Sequence, residues 1–149
     1  MSTKAQYRLG RIISAYLRTK KAGKQRHPAV IITPDAEIVQ PEDFDPRKGG
    51  ENVLVVAGVS TKYKFYQEPH IPLPYHPSRQ ACTKLTQDCA VIIGWYDAIT
   101  IPDDVLDFGG DVPPELMLQV NDAVRNDIAR RIGNEFSTFA ELVHLLFQS

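Results

Sequence analysis

Residues 88–102, DCAVIIGWYDAITIP, hold the longest β signal in the chain. A run rich in β-branched and aromatic residues is interrupted by Gly94 and, further on, Asp97. Such a run suits a strand buried on both faces, and a lone glycine inside it marks a bend or a close backbone approach. Curved strands of this kind belong to small barrels. Upstream, NVLVVAGVST (residues 52–61) repeats the pattern with Gly58 as its break and ends in the hydroxyl pair Ser60 and Thr61. PAVIIT (residues 28–33) reads as a buried strand opened by a proline, and YRLGRIISAYL (residues 7–17) as a first strand bent near its start. HIPLPYHP (residues 70–77) has prolines that remove ladder donors, which confines it to a sheet edge. Five short strands with glycine bends predict a small β-barrel rather than a sandwich.

The period changes towards the C-terminus. In DVPPELMLQVNDAVRNDIARRIG (residues 111–133), Leu116, Val120, Ala123, Val124, Ile128 and Ile132 fall at helical spacing. Asp111 reads as the cap and the prolines as the first turn, so a helix laid against the barrel is expected. STFAELVHLLFQS (residues 137–149) predicts another, at about 137–148, with Thr138 and Glu141 in capping-box register. The acidic stretch 35–52 reads as a loop insert. With 149 residues and ordinary globular composition, 43% hydrophobic and 23% charged, one domain over residues 1–149 is expected. Neither a spanning run of apolar residues nor a signal-peptide core is present in the sequence, and a cytoplasmic protein without membrane contact is the expectation.

Charge is unevenly placed. Residues 1–27 contain eight Lys/Arg and no Asp/Glu; the rest holds nine against eighteen, so +8 faces −9 within a net charge of −1. Five of the eight cations crowd into RTKKAGKQR (residues 18–26), read as a polar loop from Arg18 to His27. A cationic end on an acidic body fits a polyanion site or a self-complementary dimer. Cys82 and Cys89 are too few for a disulfide framework. Together with His70 and His76 they lack the paired spacing of a zinc site, so no metal is expected. Phosphate-binding loops, zinc-protease motifs and nucleophile elbows are absent from the sequence. RNA cleavage needs none of these, because the substrate carries its own nucleophile: a base, a cation and an acid suffice.

In order and position these segments resemble the MazF/PemK family of toxin–antitoxin endoribonucleases. LGRIISAYL is similar to the family's opening strand, and KQRHPAVIIT to its basic stretch running into a proline and an apolar strand. VLVVAGVSTK is similar to the strand that ends in a hydroxyl pair, TKLTQDCAVIIGWYDAITI to the late strand, and VPPELMLQVNDAVRNDI to the helix. The resemblance spans about residues 7–130. It implies a mainly β fold with α, an SH3-like barrel with C-terminal helices, and a homodimer bound by an antitoxin protein. It further implies sequence-selective cleavage of single-stranded mRNA with no cofactor. Arg26 falls at the family's catalytic arginine and Ser60, with Thr61 beside it, at its catalytic hydroxyl; His27 is a candidate proton carrier. Arg18, Lys20, Lys21, Lys24 and Lys62 are candidate RNA contacts. Where some members place an Arg and an Asp in the late strand, this chain reads GWYDAI, with Asp97 nearby. The same architecture also hosts gyrase-poisoning toxins, plain binding modules and inactive homologues that act in regulation.

Overall fold

The computed structural model describes residues 6–19, 23–49 and 52–132. Lys20, Lys21 and the expected helix at 137–148 lie outside them. Six antiparallel strands form one sheet: β1 (Arg11–Thr19), β2 (Gly23–Ile31), β3 (Val53–Ser60), β4 (His70–Pro72), β5 (Ala90–Thr100) and β6 (Val105–Asp111). Their order is β4-β5-β3-β2-β1-β6, with the helix α1 (Pro114–Ile132) following β6. The mainly β architecture with a helix against it is therefore present, as is the proline-rich edge strand β4.

Alternation along each central strand feeds two cores. Val30, Ile32, Val55, Ala57, Val91 and Ile93 face α1. Ala29, Ile31, Leu54, Val56, Ile13 and Leu17 face the other way, joined by Ile99. A sheet buried on both faces needs unbroken apolar strands, which is why PAVIIT and NVLVVAGVST lack the usual polar alternation. On α1, Val120, Val124 and Ile128 are buried and Leu116 and Ala123 half-buried, as the spacing requires, with Met117 added to the stripe. The Tyr96 hydroxyl donates to Asp127 Oδ2 at 2.7 Å and ties the helix to β5.

The sheet curls. Three strand spacings separate β5 from β1, about 14 Å if the sheet were flat. Yet the backbone N–H of Arg18 donates to Asp97 Oδ2 at 2.8 Å, and Trp95 Nε1 donates to the Arg18 carbonyl at 3.2 Å. Those bonds close the two strands over the second core. The curl depends on a bulge between Ala57 and Val59 in the β3–β5 pairing, with Gly94 at φ 120°. Gly58 sits in that bulge because a Cβ there would overlap the Trp95 ring.

Four expectations are corrected. Arg18, Thr19 and Gly23–His27 are strand, not loop: β1 and β2 pair in register from Ile12–Val30 out to Thr19–Gly23. Pro28 accordingly lies inside β2, where that strand gains β3 as a second partner, and does not open it. A sixth strand, β6, pairs with β1; its Gly109 and Gly110 resemble turn residues in sequence, but they allow the backbone of Ile12 and of Cys82 to pass close by. Asp111 is no helix cap: it ends β6 and forms a bidentate pair with Arg8 at 2.8 Å, while the Pro113 carbonyl accepts the first helical bond from Met117. The 35–52 insert contains three short 3-10 turns with no buried residues. Asp35 accepts from the Leu9 N–H, and Gln40 bonds both N–H and carbonyl of Tyr7, which fastens the insert to the chain's start.

Candidate nucleic-acid interface

The β1–β2 ribbon has two unlike faces. Because β2 is regular, Lys24, Arg26 and Pro28 share the side of Val30, while Gln25 and His27 share the side of Ala29 and Ile31. On the first face Arg18 stands opposite Lys24, and Tyr16 opposite Arg26. All four are exposed. Arg26 donates from Nε to Ser14 Oγ at 3.0 Å. That bond fixes the guanidinium's direction and leaves both Nη groups without a described partner. Lys24 lies 3.7 Å from Asp104, and Arg18 Nε 4.0 Å from Asp97, so each is partly neutralised.

The second face carries His27. Its ring meets Trp95 edge-on at 4.6 Å, and Nδ1 lies 3.0 Å from the Pro28 carbonyl. A carbonyl can only accept, so Nδ1 carries the proton and the neutral ring keeps its lone pair on Nε2. The histidine expected as a proton carrier is thus oriented with Nε2 as its acceptor nitrogen. Trp95, which no motif marked as functional, is the ring that holds it. Asp97 is buried and its two oxygens accept from the Arg18 and Ala98 N–H groups, a brace for the curl.

Ser60 ends β3 opposite Ala90, on the Trp95 side of the sheet, and is 5% exposed. Its Oγ accepts the Lys62 N–H at 3.0 Å and closes a turn. Thr61 and Lys62 are exposed in that turn. Arg26 and Ser60 therefore project from opposite faces; Arg26 and His27 are brought together, as neighbours flanking one strand edge. From Gly23 to Pro28, β2 has β1 as its only strand partner among the described residues, since β3 pairs from Ala29 onward. An extended ligand lying along that edge would meet Arg26 on one side and His27 on the other.

A cleft of about 870 Å³ between Leu9, Gln40 and Met117 lies at the far end of β1; in its wall Arg8 and Asp111 pair with each other and Asp35 accepts the Leu9 N–H. Burial pushes the Cys89 thiol up to about 11, which makes it inert, and Cys82 is an exposed free thiol. Among the described residues, no three His, Cys, Asp or Glu side chains are grouped as a metal ion would require.

No family model and no curated protein matches the sequence. Solved structures do match in shape. MazF from Deinococcus radiodurans superposes with a TM-score of 0.54 at 16% identity, covering 87% of this chain and 99% of that one. A MazE–MazF structure from the same organism gives 0.53 at 14%, covering 87% and 98%. The Mycobacterium tuberculosis toxin MazF-mt6 gives 0.52 at 17%, covering 79% and 95%. At such identities the likeness lies in the path of the chain, and the order of motifs in the sequence agrees with it: this chain has the fold of the MazF toxins.

Proposed function

We propose that the chain is the toxin of a toxin–antitoxin pair, an endoribonuclease that cuts single-stranded RNA without a metal ion. The observation that carries this is that Arg26 and His27 flank the open edge of β2, within a cationic ribbon on a MazF-type fold. RNA laid along the edge gives its phosphate to the free Nη groups of Arg26. His27 Nε2 takes the 2′-hydroxyl proton, the 2′-oxygen attacks phosphorus, and the bond to the 5′-oxygen breaks. That oxygen takes a proton from water, leaving a 2′,3′-cyclic phosphate and a 5′-hydroxyl. Developing charge on the phosphorane is what Arg26 stabilises. Arg18, Lys20, Lys21, Lys24 and Lys62 gather the backbone, and Ser60 and Thr61 form the adjoining turn. A homodimer in the cytoplasm, silenced by an antitoxin protein, completes the proposal; one of the similar structures is of MazE–MazF.

One observation favours a second reading, a non-catalytic RNA-binding module: the Ser60 hydroxyl is buried, bonded and on the face opposite Arg26. Incubating long RNA with the protein in EDTA separates the two. We expect cleavage by the wild type and a loss of 10²–10³-fold or more for Arg26→Ala, the effect of removing one charge-stabilising donor. Binding without cleavage by the wild type would select the module.

A further inference from the structure

The stretch TKYKFYQ (residues 61–67) follows the Ser60 turn and contributes three aromatic rings. Phe65 is 87% exposed, the most exposed large apolar side chain described. Leaving a phenylalanine in water forgoes a large part of its burial free energy, so its position asks for an occupant. It does not hang on a loose loop. The 3-10 turn Tyr63–Phe65 is closed by Phe65 N–H to the Lys62 carbonyl at 3.0 Å and Tyr66 N–H to the Tyr63 carbonyl at 3.1 Å. Beneath it Tyr63 is buried, donates its hydroxyl to Asp88 at 3.0 Å, and tilts against the His70 ring at 4.7 Å. Ser60, by holding the Lys62 N–H, fixes the turn's root.

The turn is continuous with the edge of β2. Tyr66 lies nearly parallel to Trp95, 15° between planes at 6.3 Å, and Trp95 in turn meets His27. Tyr66, which follows the exposed Phe65 in the turn, is thus linked through Trp95 to the histidine beside the proposed RNA track. Lys62 and Lys64 lie just before Phe65 in the same turn, and both are exposed.

Resting on the RNA reading above, we propose that Phe65, Tyr66 and Trp95 form a stacking platform for an unpaired nucleobase of the bound strand. Rings interleaved with lysines are what single-stranded nucleic acid requires: π-faces for bases, cations for the phosphates between them. A protein partner would use Phe65 too, but it would have to cover two lysines without gain unless it were acidic there. The platform supplies contacts to bases that the Arg26 face, directed at phosphate, does not. Ser60 and Tyr63 are positioning residues for it.

Two probes test this: a short single-stranded 2′-O-methyl RNA, which has no nucleophile and cannot be cut, and the same sugar–phosphate chain without bases. Trp95 is the sole tryptophan, so its fluorescence reports the site directly. The base-bearing strand should quench Trp95 and the abasic strand should not. Phe65→Ala should weaken the base-bearing strand about tenfold and leave the abasic affinity unchanged, with Phe65→Trp retaining affinity. Equal affinity for both probes in the wild type, or an equal loss for both in Phe65→Ala, overturns the platform while leaving an RNA-binding protein. No binding of either probe overturns the platform and the RNA reading together. A changed sedimentation coefficient in Phe65→Ala with RNA affinity intact assigns the patch to a second copy of the chain and overturns the platform too.

Discussion

Arg26 and His27 are adjacent in sequence and opposed in space, and that opposition organises the site. The family resemblance marked Arg26, and His27 was a candidate proton carrier, but which side each faces depends on whether the segment that holds them is loop or strand. The segment's lysines and glycine point to loop, while pairing with β1 overrides them. The same dependence hides the role of Ser60. Its place at the end of an apolar strand was legible; its bond to the Lys62 N–H is a fact of turn geometry. From that bond, Ser60→Ala should lower stability by about 1 kcal/mol, the worth of one hydrogen bond, and leave the cleavage rate within a few-fold. Thermal unfolding together with RNA cleavage rates checks this. A rate loss comparable to that of Arg26→Ala, with unchanged stability, would return the hydroxyl to the chemistry.

At the level of elements, the glycines were the most informative residues. Gly58 and Gly94 announced bends, and both are found where β3 and β5 shift register. Gly58→Ala must displace the Trp95 ring, so it should cost about 1–3 kcal/mol, as overpacking does, and shift the tryptophan emission. Unchanged stability and emission would mean that the ring is not seated there. Strand β6, with two glycines in succession, was not expected from the sequence. Gly109 and Gly110 lack side chains because neighbouring backbone passes over β6, a crowding that no local pattern can reveal. The helix was legible because its stripe answers to one periodicity. Pro114 does open it, but the cap was misread, because Asp111 finds a distant partner in Arg8, and only the tertiary fold sets that choice between cap and ion pair.

Across the whole molecule, the separation of +8 from −9 remains the clearest feature of the sequence, and the fold gives it a place. Arg18, Lys24 and Arg26 stand on one face of a single ribbon. Neutralising Lys20, Lys21 and Lys24 together should weaken RNA binding and flatten its dependence on salt, each lost phosphate contact lowering the log–log slope by about 0.7, with the preferred sequence unchanged. Titrations over a range of ionic strength measure that slope; an unaltered slope would assign the cationic end to self-association. The central claim, that the RNA supplies its own nucleophile and the protein supplies Arg26 and His27, is tested most directly with one substrate in two forms. A single-stranded RNA cut in EDTA is compared with the same strand carrying a 2′-deoxyribose at the cleaved position. The account predicts a cut RNA ending in a 2′,3′-cyclic phosphate and an uncut 2′-deoxy strand; cleavage of both, or of neither, would contradict it.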